Sequence, residues 1–138
     1  MNVRAAEMTK SILVADDSEQ VRKYVSKLLR TNPDFEVCGE AVNGVEAVAK
    51  AKELQPDLVI LDLGMPVMNG LEAARALKNI LPVVPIILFT LHGSMISDEQ
   101  AARSGVDLVV AKSDITQLNE HVRSLLPRPE MDEIDSIS

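Results

Sequence analysis

Short apolar runs alternate with longer amphipathic segments along most of the chain. The apolar runs predict five buried or half-buried strands, at residues 11–15, 35–41, 58–62, 85–90 and 106–111. After each run the apolar residues recur at helical spacing, which predicts five helices. Alternation of this kind indicates right-handed crossovers and a parallel sheet with helices on both faces. The predicted fold class is therefore α/β, with a doubly wound five-stranded parallel sheet.

The sequence predicts N-cap residues for three of the helices and inward-facing residues for several of them. Ser18, Asn69 and Ser113 are the predicted N-caps of the first, third and last helices. The predicted inward faces of the first two helices are Val21, Tyr24, Val25, Leu28 and Leu29, and Val45, Val48 and Ala49. The helix predicted at residues 95–104 has a weak apolar stripe, so we expect it to be the most mobile element.

The ordered part of the chain is predicted to be a single domain. Residues 1–10 are expected to form a flexible extension, residues 11–126 the domain, and residues 127–138 a disordered acidic tail. A chain of 138 residues can bury one core of ordinary size. Because the tail is too short and too polar to fold as an output module, the domain is expected to act through contact with other proteins.

Charge and cysteine content narrow the classes of function. A formal net charge of −7 argues against a nucleic-acid-binding surface, which needs clustered Lys and Arg. The single cysteine, Cys38, excludes an internal disulfide and lies in a strand pattern, so it is predicted to pack in the core. No apolar run approaches the roughly 20 residues that span a bilayer, and no signal-peptide core is present. The protein is therefore expected to be cytoplasmic.

Polar side chains follow four of the predicted strands. They are Asp16 and Asp17 after the first strand, Asp62 at the end of the third, Thr90 at the end of the fourth, and Lys112 after the fifth. The carboxyl ends of parallel strands meet at one edge of the sheet, where such folds bind ligands, so we expect these side chains to converge. Taken singly, the paired acids could merely cap the first helix, the threonine could be an ordinary strand residue, and the lysine could be a solvated surface group.

Three neighbouring carboxylates repel one another unless a cation neutralises them. All-oxygen ligation is what Mg²⁺ prefers, whereas His92 and His121 stand alone and offer no zinc-binding set. An ammonium from Lys112 and a hydroxyl from Thr90 would hold phosphoryl oxygens at the same edge. This set of groups predicts phosphoryl transfer onto the carboxylate of Asp62.

These residues, in this order and spacing, resemble the receiver domain of two-component response regulators, the CheY-like family. The resemblance covers about residues 11–126 and rests on Asp16-Asp17 after I-L-V-A, the block D-L-G-M-P-V-M-N-G that begins at Asp62, Thr90 and Lys112. It implies a flavodoxin-like sheet with strand order 2-1-3-4-5. It also implies that Asp62 is the phosphoacceptor and that Thr90 and Lys112 hold the phosphoryl group.

The resemblance further implies ligands and partners. Asp17, Asp62 and the backbone carbonyl of Gly64 would bind Mg²⁺ directly, and Asp16 would help through water. A histidine kinase or phosphotransfer protein would donate the phosphoryl group from phosphohistidine. Because phosphorylation would reposition the loop after Thr90 and the helix behind it, we hypothesise separately that a downstream protein, or a second copy of the domain, binds the face formed by residues 95–126. The family is a signalling domain rather than an enzyme, although it assists its own phosphotransfer and dephosphorylation.

The chain departs from the family pattern at three positions, and His92 is a further residue of interest that could equally be an ordinary exposed loop residue. Leu91 stands where a small residue is usual and would narrow access to the phosphoryl group. Val109 replaces an aromatic residue, which puts the usual aromatic readout in doubt. Ser113 replaces the proline that commonly follows the lysine, and His92 could affect the lifetime of the phosphoryl group.

Three functions compete on these grounds. The leading prediction is a phosphorylation-dependent signalling switch of the stand-alone type, whose moving part is the helix at residues 95–104. Leu91 and Val109 motivate the alternative of a phosphate-independent, receiver-like binding module or scaffold. A Mg²⁺-dependent phosphohydrolase would require a second acid two residues after the nucleophile, where the chain has Gly64.

Overall fold

The computed structural model describes residues 9–91 and 96–126, which form five strands and five α-helices. The strands are β1 (Lys10–Ala15), β2 (Phe35–Ala41), β3 (Leu58–Leu61), β4 (Ile86–Thr90) and β5 (Leu108–Ala111). The helices are α1 (Glu19–Arg30), α2 (Gly44–Leu54), α3 (Gly70–Ile80), α4 (Asp98–Arg103) and α5 (Leu118–Leu125), and a 3₁₀ segment (Lys112–Gln117) precedes α5. Within these residues, no helix has the length and apolar character needed to cross a membrane.

All five strands are parallel and belong to one sheet. Their order is β2-β1-β3-β4-β5, so the predicted fold class and strand order are confirmed. The most apolar runs, β3 and β4, are completely buried. The alternating strand β2 lies at an edge, where one face can meet solvent.

Helices cover both faces of the sheet, because alternate residues of each strand point to opposite sides. On one side, Ile12 and Val14 of β1 pack in a core with apolar residues of α1 and α5. On the other side, Leu13 and Ala15 pack in a core with α2, α3 and α4. Cys38 packs against this second core as predicted, and burial raises the pKa of its thiol, which keeps it protonated at neutral pH.

Several element boundaries differ from the prediction. Strand β1 begins one residue early, because Lys10 pairs with Phe35 of β2. Helix α4 begins at Asp98, where a capping box formed by Ser97 and Gln100 fixes its start. The extension was predicted at residues 1–10, but its Lys10 belongs to β1. Residues 1–8 of that extension, the tail at 127–138 and the predicted loop and helix start at 92–95 lie outside the described residues.

The predicted inward face of α2 was only partly right, because Val48 packs against the core whereas Val45 and Ala49 are exposed. Val45 is half exposed, whereas Ala47 and Ala51, four residues apart, are fully buried. Helix α2 packs against α3, and the residues that the two helices bury in this core include the small side chains of Ala73 and Ala74. A pattern that weighs large apolar residues most heavily therefore misses the buried alanine positions of this helix. Tyr24 of α1, also predicted to face inward, is 52% exposed.

Two predicted caps are confirmed and one is wrong. Ser18 accepts a hydrogen bond from the Val21 amide, and Asn69 forms a capping box with Glu72. Ser113 caps nothing, because the chain continues from Lys112 in a 3₁₀ segment without a side-chain cap, and α5 starts only at Leu118.

The start of α3 lies tightly beneath the end of β3. A Cβ atom at Gly70 would be 2.4 Å from the carbonyl oxygen of Asp62 and 2.8 Å from Cδ1 of Leu88. The Gly70 amide also donates to the carbonyl oxygen of Leu63 at 3.0 Å. Glycine is therefore required here for space, and the close contact helps to fix the end of β3.

We expect Gly70→Ala to lower the free energy of unfolding by about 1–3 kcal/mol, because the added methyl group overpacks a backbone contact. Gly64→Ala is the matched control, since a Cβ at that position would meet only Oδ2 of Asp62, at 3.9 Å. Urea unfolding of both variants measures the difference. Equal stability of the two variants would contradict this account.

Candidate functional site

The first and third strands end at the same level of the sheet. Ala15 pairs with Leu61, and the Asp62 amide donates to the carbonyl oxygen of Ala15 at 2.9 Å. The Asp16 amide in turn donates to the carbonyl oxygen of Ala41 at 3.0 Å. Parallel pairing therefore forces the two carboxylates to leave the sheet side by side.

A cleft of about 420 Å³ opens at this edge. It is lined by Asp16, Asp17, Ser18, Val21, Asp62, Leu63, Gly64, Thr90, Leu91 and Lys112. Every site residue predicted from the sequence lines this one cleft.

Three carboxylates crowd the floor of the cleft. Asp16, Asp17 and Asp62 each offer an oxygen, and these oxygens lie within 4.8 Å of one another. Asp16 is 2% exposed and Asp62 is 7% exposed, whereas Asp17 is open to solvent. A cation entering from solvent would therefore meet Asp17 first.

The ammonium of Lys112 lies between the two buried acids. Its Nζ is 2.8 Å from Oδ2 of Asp16 and 3.3 Å from Oδ1 of Asp62. Its side chain is only 13% exposed, so the alternative of a solvated surface lysine is wrong. Burial alone would lower the pKa of Lys112, but the hydrogen bond to Asp16 and the charges of both acids raise it above its ordinary value.

The acids are not there simply to cap α1. Ser18 caps the helix, while Oδ1 of Asp16 accepts a hydrogen bond from the Ser18 amide at 2.9 Å. Apart from the Lys112 ammonium, the buried Oδ2 of Asp16 has no hydrogen-bond donor among the described residues. This oxygen remains available to a further cation or a bound water.

The charges of the site do not balance. Three carboxylates and one ammonium leave two negative charges in a partly buried cleft. Burial, reinforced by the charge of Asp16, raises the pKa of Asp62 even though Lys112 acts in the opposite direction. A divalent cation ligated by oxygen would supply the missing charge, so the donor set fits Mg²⁺.

The fourth strand supplies the remaining wall. Thr90 is buried at the end of β4 and pairs with Ala111 of β5, beside the point where Lys112 leaves the sheet. Leu91 follows it and is 72% exposed at the mouth of the cleft. His92, which the sequence singled out next, lies outside the described residues.

Sequence reasoning missed Arg22. Its Nη1 donates to the carbonyl oxygen of Asp16 at 2.8 Å, and its Nε donates to Oε1 of Glu40 at 3.0 Å. Arg22 stands on α1 among the charged residues Glu19 and Lys23, where an arginine is normally assigned to a solvated helix face. No spacing in the sequence reveals that this arginine turns back toward the acids.

Comparison with known proteins agrees with the geometry. Residues 12–123 match the family described as the response regulator receiver domain. The response regulator protein VraR of Staphylococcus aureus is 42% identical over 109 residues, which are 77% of this chain and 51% of that protein. A protein-glutamate methylesterase/protein-glutamine glutaminase of Photobacterium profundum is 38% identical over 125 residues, 88% of this chain and 32% of that protein.

Solved structures show the same fold. The response regulator domain of Thermotoga maritima CheB superposes with a TM-score of 0.79 at 28% identity, covering 86% of this chain and 96% of that one. The chain spans between a third and about half of the length of the two curated relatives named above. The resemblance that the motifs indicated is therefore confirmed, and the chain belongs to the family of response regulator receiver domains, the signalling domains of two-component systems.

Proposed function

We propose that this receiver domain accepts a phosphoryl group on Asp62 from phosphohistidine of a histidine kinase or phosphotransfer protein, with Mg²⁺ as cofactor. The observation that carries the proposal is the Lys112 ammonium, which lies 3.3 Å from Oδ1 of Asp62 inside a cleft with two further acids. A nucleophilic carboxylate, a fixed cation and a set of oxygen ligands are the groups that phosphoryl transfer requires.

The transfer proceeds by attack of a carboxylate oxygen of Asp62 on phosphorus. The new P–O bond forms as the P–N bond to the donor imidazole breaks, and the imidazole leaves with the bonding electrons and takes up a proton. Lys112 neutralises charge on the transferred group, because its ammonium already contacts the accepting carboxylate. Asp17, Asp62 and the backbone carbonyl of Gly64 would hold Mg²⁺ directly and Asp16 would help through water, and the bound ion would supply Lewis-acid neutralisation.

The phosphoryl group would carry roughly −1.5 to −2 charge, where the Asp62 carboxylate had carried a single negative charge. We infer that Thr90 and Lys112 are drawn toward the phosphoryl oxygens, as the ends of β4 and β5 place them on that side of Asp62. Leu91 moves with Thr90, and the 3₁₀ segment Lys112–Gln117 moves with Lys112. No residue of this segment is fully buried, so its rearrangement disturbs little packing.

The response therefore reaches the face formed by residues 95–126, which we propose binds a downstream protein or a second copy of the domain. The short helix α4, with Ala101 as its only buried residue, is the proposed moving part. Val109 of β5 lines a small cleft beside α4 instead of an aromatic side chain, so the response is carried by backbone and helix movement. Such a switch needs two states whose free energies differ by a few kcal/mol.

The geometry of the cleft does not favour the other two candidate functions. A scaffold that had lost its chemistry would have no use for a buried Lys112 paired with two acids. A phosphohydrolase would need a carboxylate where Gly64 lines the cleft.

We expect wild-type protein incubated with Mg²⁺ and acetyl phosphate to gain one phosphoryl group, measured as intact mass. Asp62→Ala should gain none, and EDTA should abolish the gain. Asp114→Ala is the matched control, since this exposed carboxylate lies outside the cleft, and it should be phosphorylated like wild type. Phosphorylation of folded Asp62→Ala at the wild-type rate, or none of folded wild type, would contradict the proposal.

Leu91→Ala should accelerate both phosphorylation by small donors and loss of the phosphoryl group to water, each several-fold. The leucine side chain covers the mouth of the cleft, and its removal admits donor and water more easily. Val83→Ala removes an apolar side chain that is also exposed but does not line the cleft, and its rates should match wild type. Unchanged rates in Leu91→Ala would show that this side chain does not control access.

Asp62→Asn should be more stable than wild type in EDTA at neutral pH. The pKa of Asp62 is raised above 3.8 in the folded state, so its folded form holds the proton more tightly than its unfolded form. Stability is therefore lost as pH rises through the window between these two pKa values, and the uncharged Asn avoids that loss.

Thermal unfolding in EDTA across the acidic and neutral range measures this difference, which should vanish below pH 3.8. Added Mg²⁺ should raise the melting temperature of wild type more than that of Asp62→Asn. If Asp62→Asn melted at a lower temperature than wild type in EDTA at neutral pH, the result would contradict the electrostatic account.

A further inference from the structure

The guanidinium of Arg22 joins three elements at the back of the acidic cleft. It extends from α1, donates through Nη1 to the carbonyl oxygen of Asp16, and donates through Nε to the carboxylate of Glu40 in β2. The Arg22 side chain is only 13% exposed. Its planar group therefore has two acceptors in fixed directions, which a flexible point charge could not match.

The backbone contact bears directly on Asp17. The carbonyl of Asp16 belongs to the peptide bond that joins Asp16 to Asp17, so a hydrogen bond to its oxygen fixes the plane of that bond. Among the described residues, no side chain donates a hydrogen bond to the Asp17 carboxylate, which is exposed. The direction of this carboxylate is therefore set mainly by its backbone.

Arg22 is itself held in place. Glu40 fixes the guanidinium from the neighbouring strand, and the carbonyl oxygen of Glu40 accepts a hydrogen bond from Nζ of Lys50. Lys50 also pairs with Glu46 at 3.1 Å on α2. A continuous set of polar contacts thus runs from α2 through β2 to the peptide between the two acids.

We propose that Arg22 is a positioning residue for the magnesium site, which aims the carboxylate of Asp17 by holding the Asp16–Asp17 peptide. The inference rests on the proposed function, because it concerns the same cation. By this inference, α1 and β2 also contribute to the magnesium site, through Arg22 and Glu40.

Electrostatics and positioning predict opposite effects of removing Arg22. A nearby positive charge repels Mg²⁺, so loss of the charge alone would tighten Mg²⁺ binding. Loss of a positioning contact around a metal ligand weakens binding instead, by roughly 10-fold or more. A merely structural role would lower the melting temperature and leave the affinity of the folded protein unchanged. The sign of the change in affinity therefore separates the three roles.

Isothermal titration of the full chain with MgCl₂ is the test, on protein shown to be folded by circular dichroism. We expect Arg22→Met to bind Mg²⁺ roughly 10-fold more weakly than wild type. Arg22→Lys keeps the charge but can reach only one acceptor at a time, so its Mg²⁺ affinity should lie between those of wild type and Arg22→Met. Lys23→Met is the matched control, because this exposed lysine pairs with Glu19 on the same helix, and its affinity should stay within about twofold of wild type.

A second variant, Glu40→Gln, tests the inference if Arg22→Met fails to fold. The substitution weakens the contact that holds Arg22 and lies outside the cleft. Glu40→Gln should lower the Mg²⁺ affinity less than Arg22→Met does, and adding Glu40→Gln to Arg22→Lys should change the affinity of that variant little. Unchanged or tighter binding in the folded Arg22 variants would overturn the inference alone. Absence of Mg²⁺ binding by wild type would overturn the proposed magnesium site, and the inference with it.

Discussion

The contact on which the site depends is the ammonium of Lys112 between the buried carboxylates of Asp16 and Asp62. Parallel pairing of β1 with β3 brings the two acids together, and their repulsion has to be offset before the sheet edge can form. Lys112 comes from β5, two strands away from β3, so its side chain reaches across the end of β4, where Thr90 lies. The strand order thus assembles acids, hydroxyl and ammonium in one place.

This arrangement favours function over stability. Buried ion pairs are weak stabilisers, because the loss of hydration of both charges offsets most of their attraction. Here one ammonium faces three carboxylates, and the pKa of Asp62 is raised despite its contact with Lys112. The fold therefore holds an excess of negative charge that a divalent cation would relieve. Arg22 contributes in another way, by fixing backbone, because its own charge is already paired with Glu40.

The sequence predicted the sheet and the composition of the cleft, because both follow from where apolar runs end. Helix faces were harder to predict, since the buried positions of α2 are alanines rather than its larger residue Val45. Ser113 resembled a cap although the chain there forms a 3₁₀ segment. Arg22 escaped prediction because its partners are a backbone carbonyl and a glutamate on another strand, and such contacts exist only once the strands are packed.

The central claim is that Asp62, and neither of its acidic neighbours, carries the phosphoryl group. Reduction of the phosphorylated protein with borohydride converts an aspartyl phosphate to homoserine, and peptide mass spectrometry then locates the altered residue. The account predicts homoserine at position 62 alone, at a level that follows the phosphorylated fraction. Homoserine at Asp16 or Asp17, or a phosphorylated protein that yields none, would contradict it.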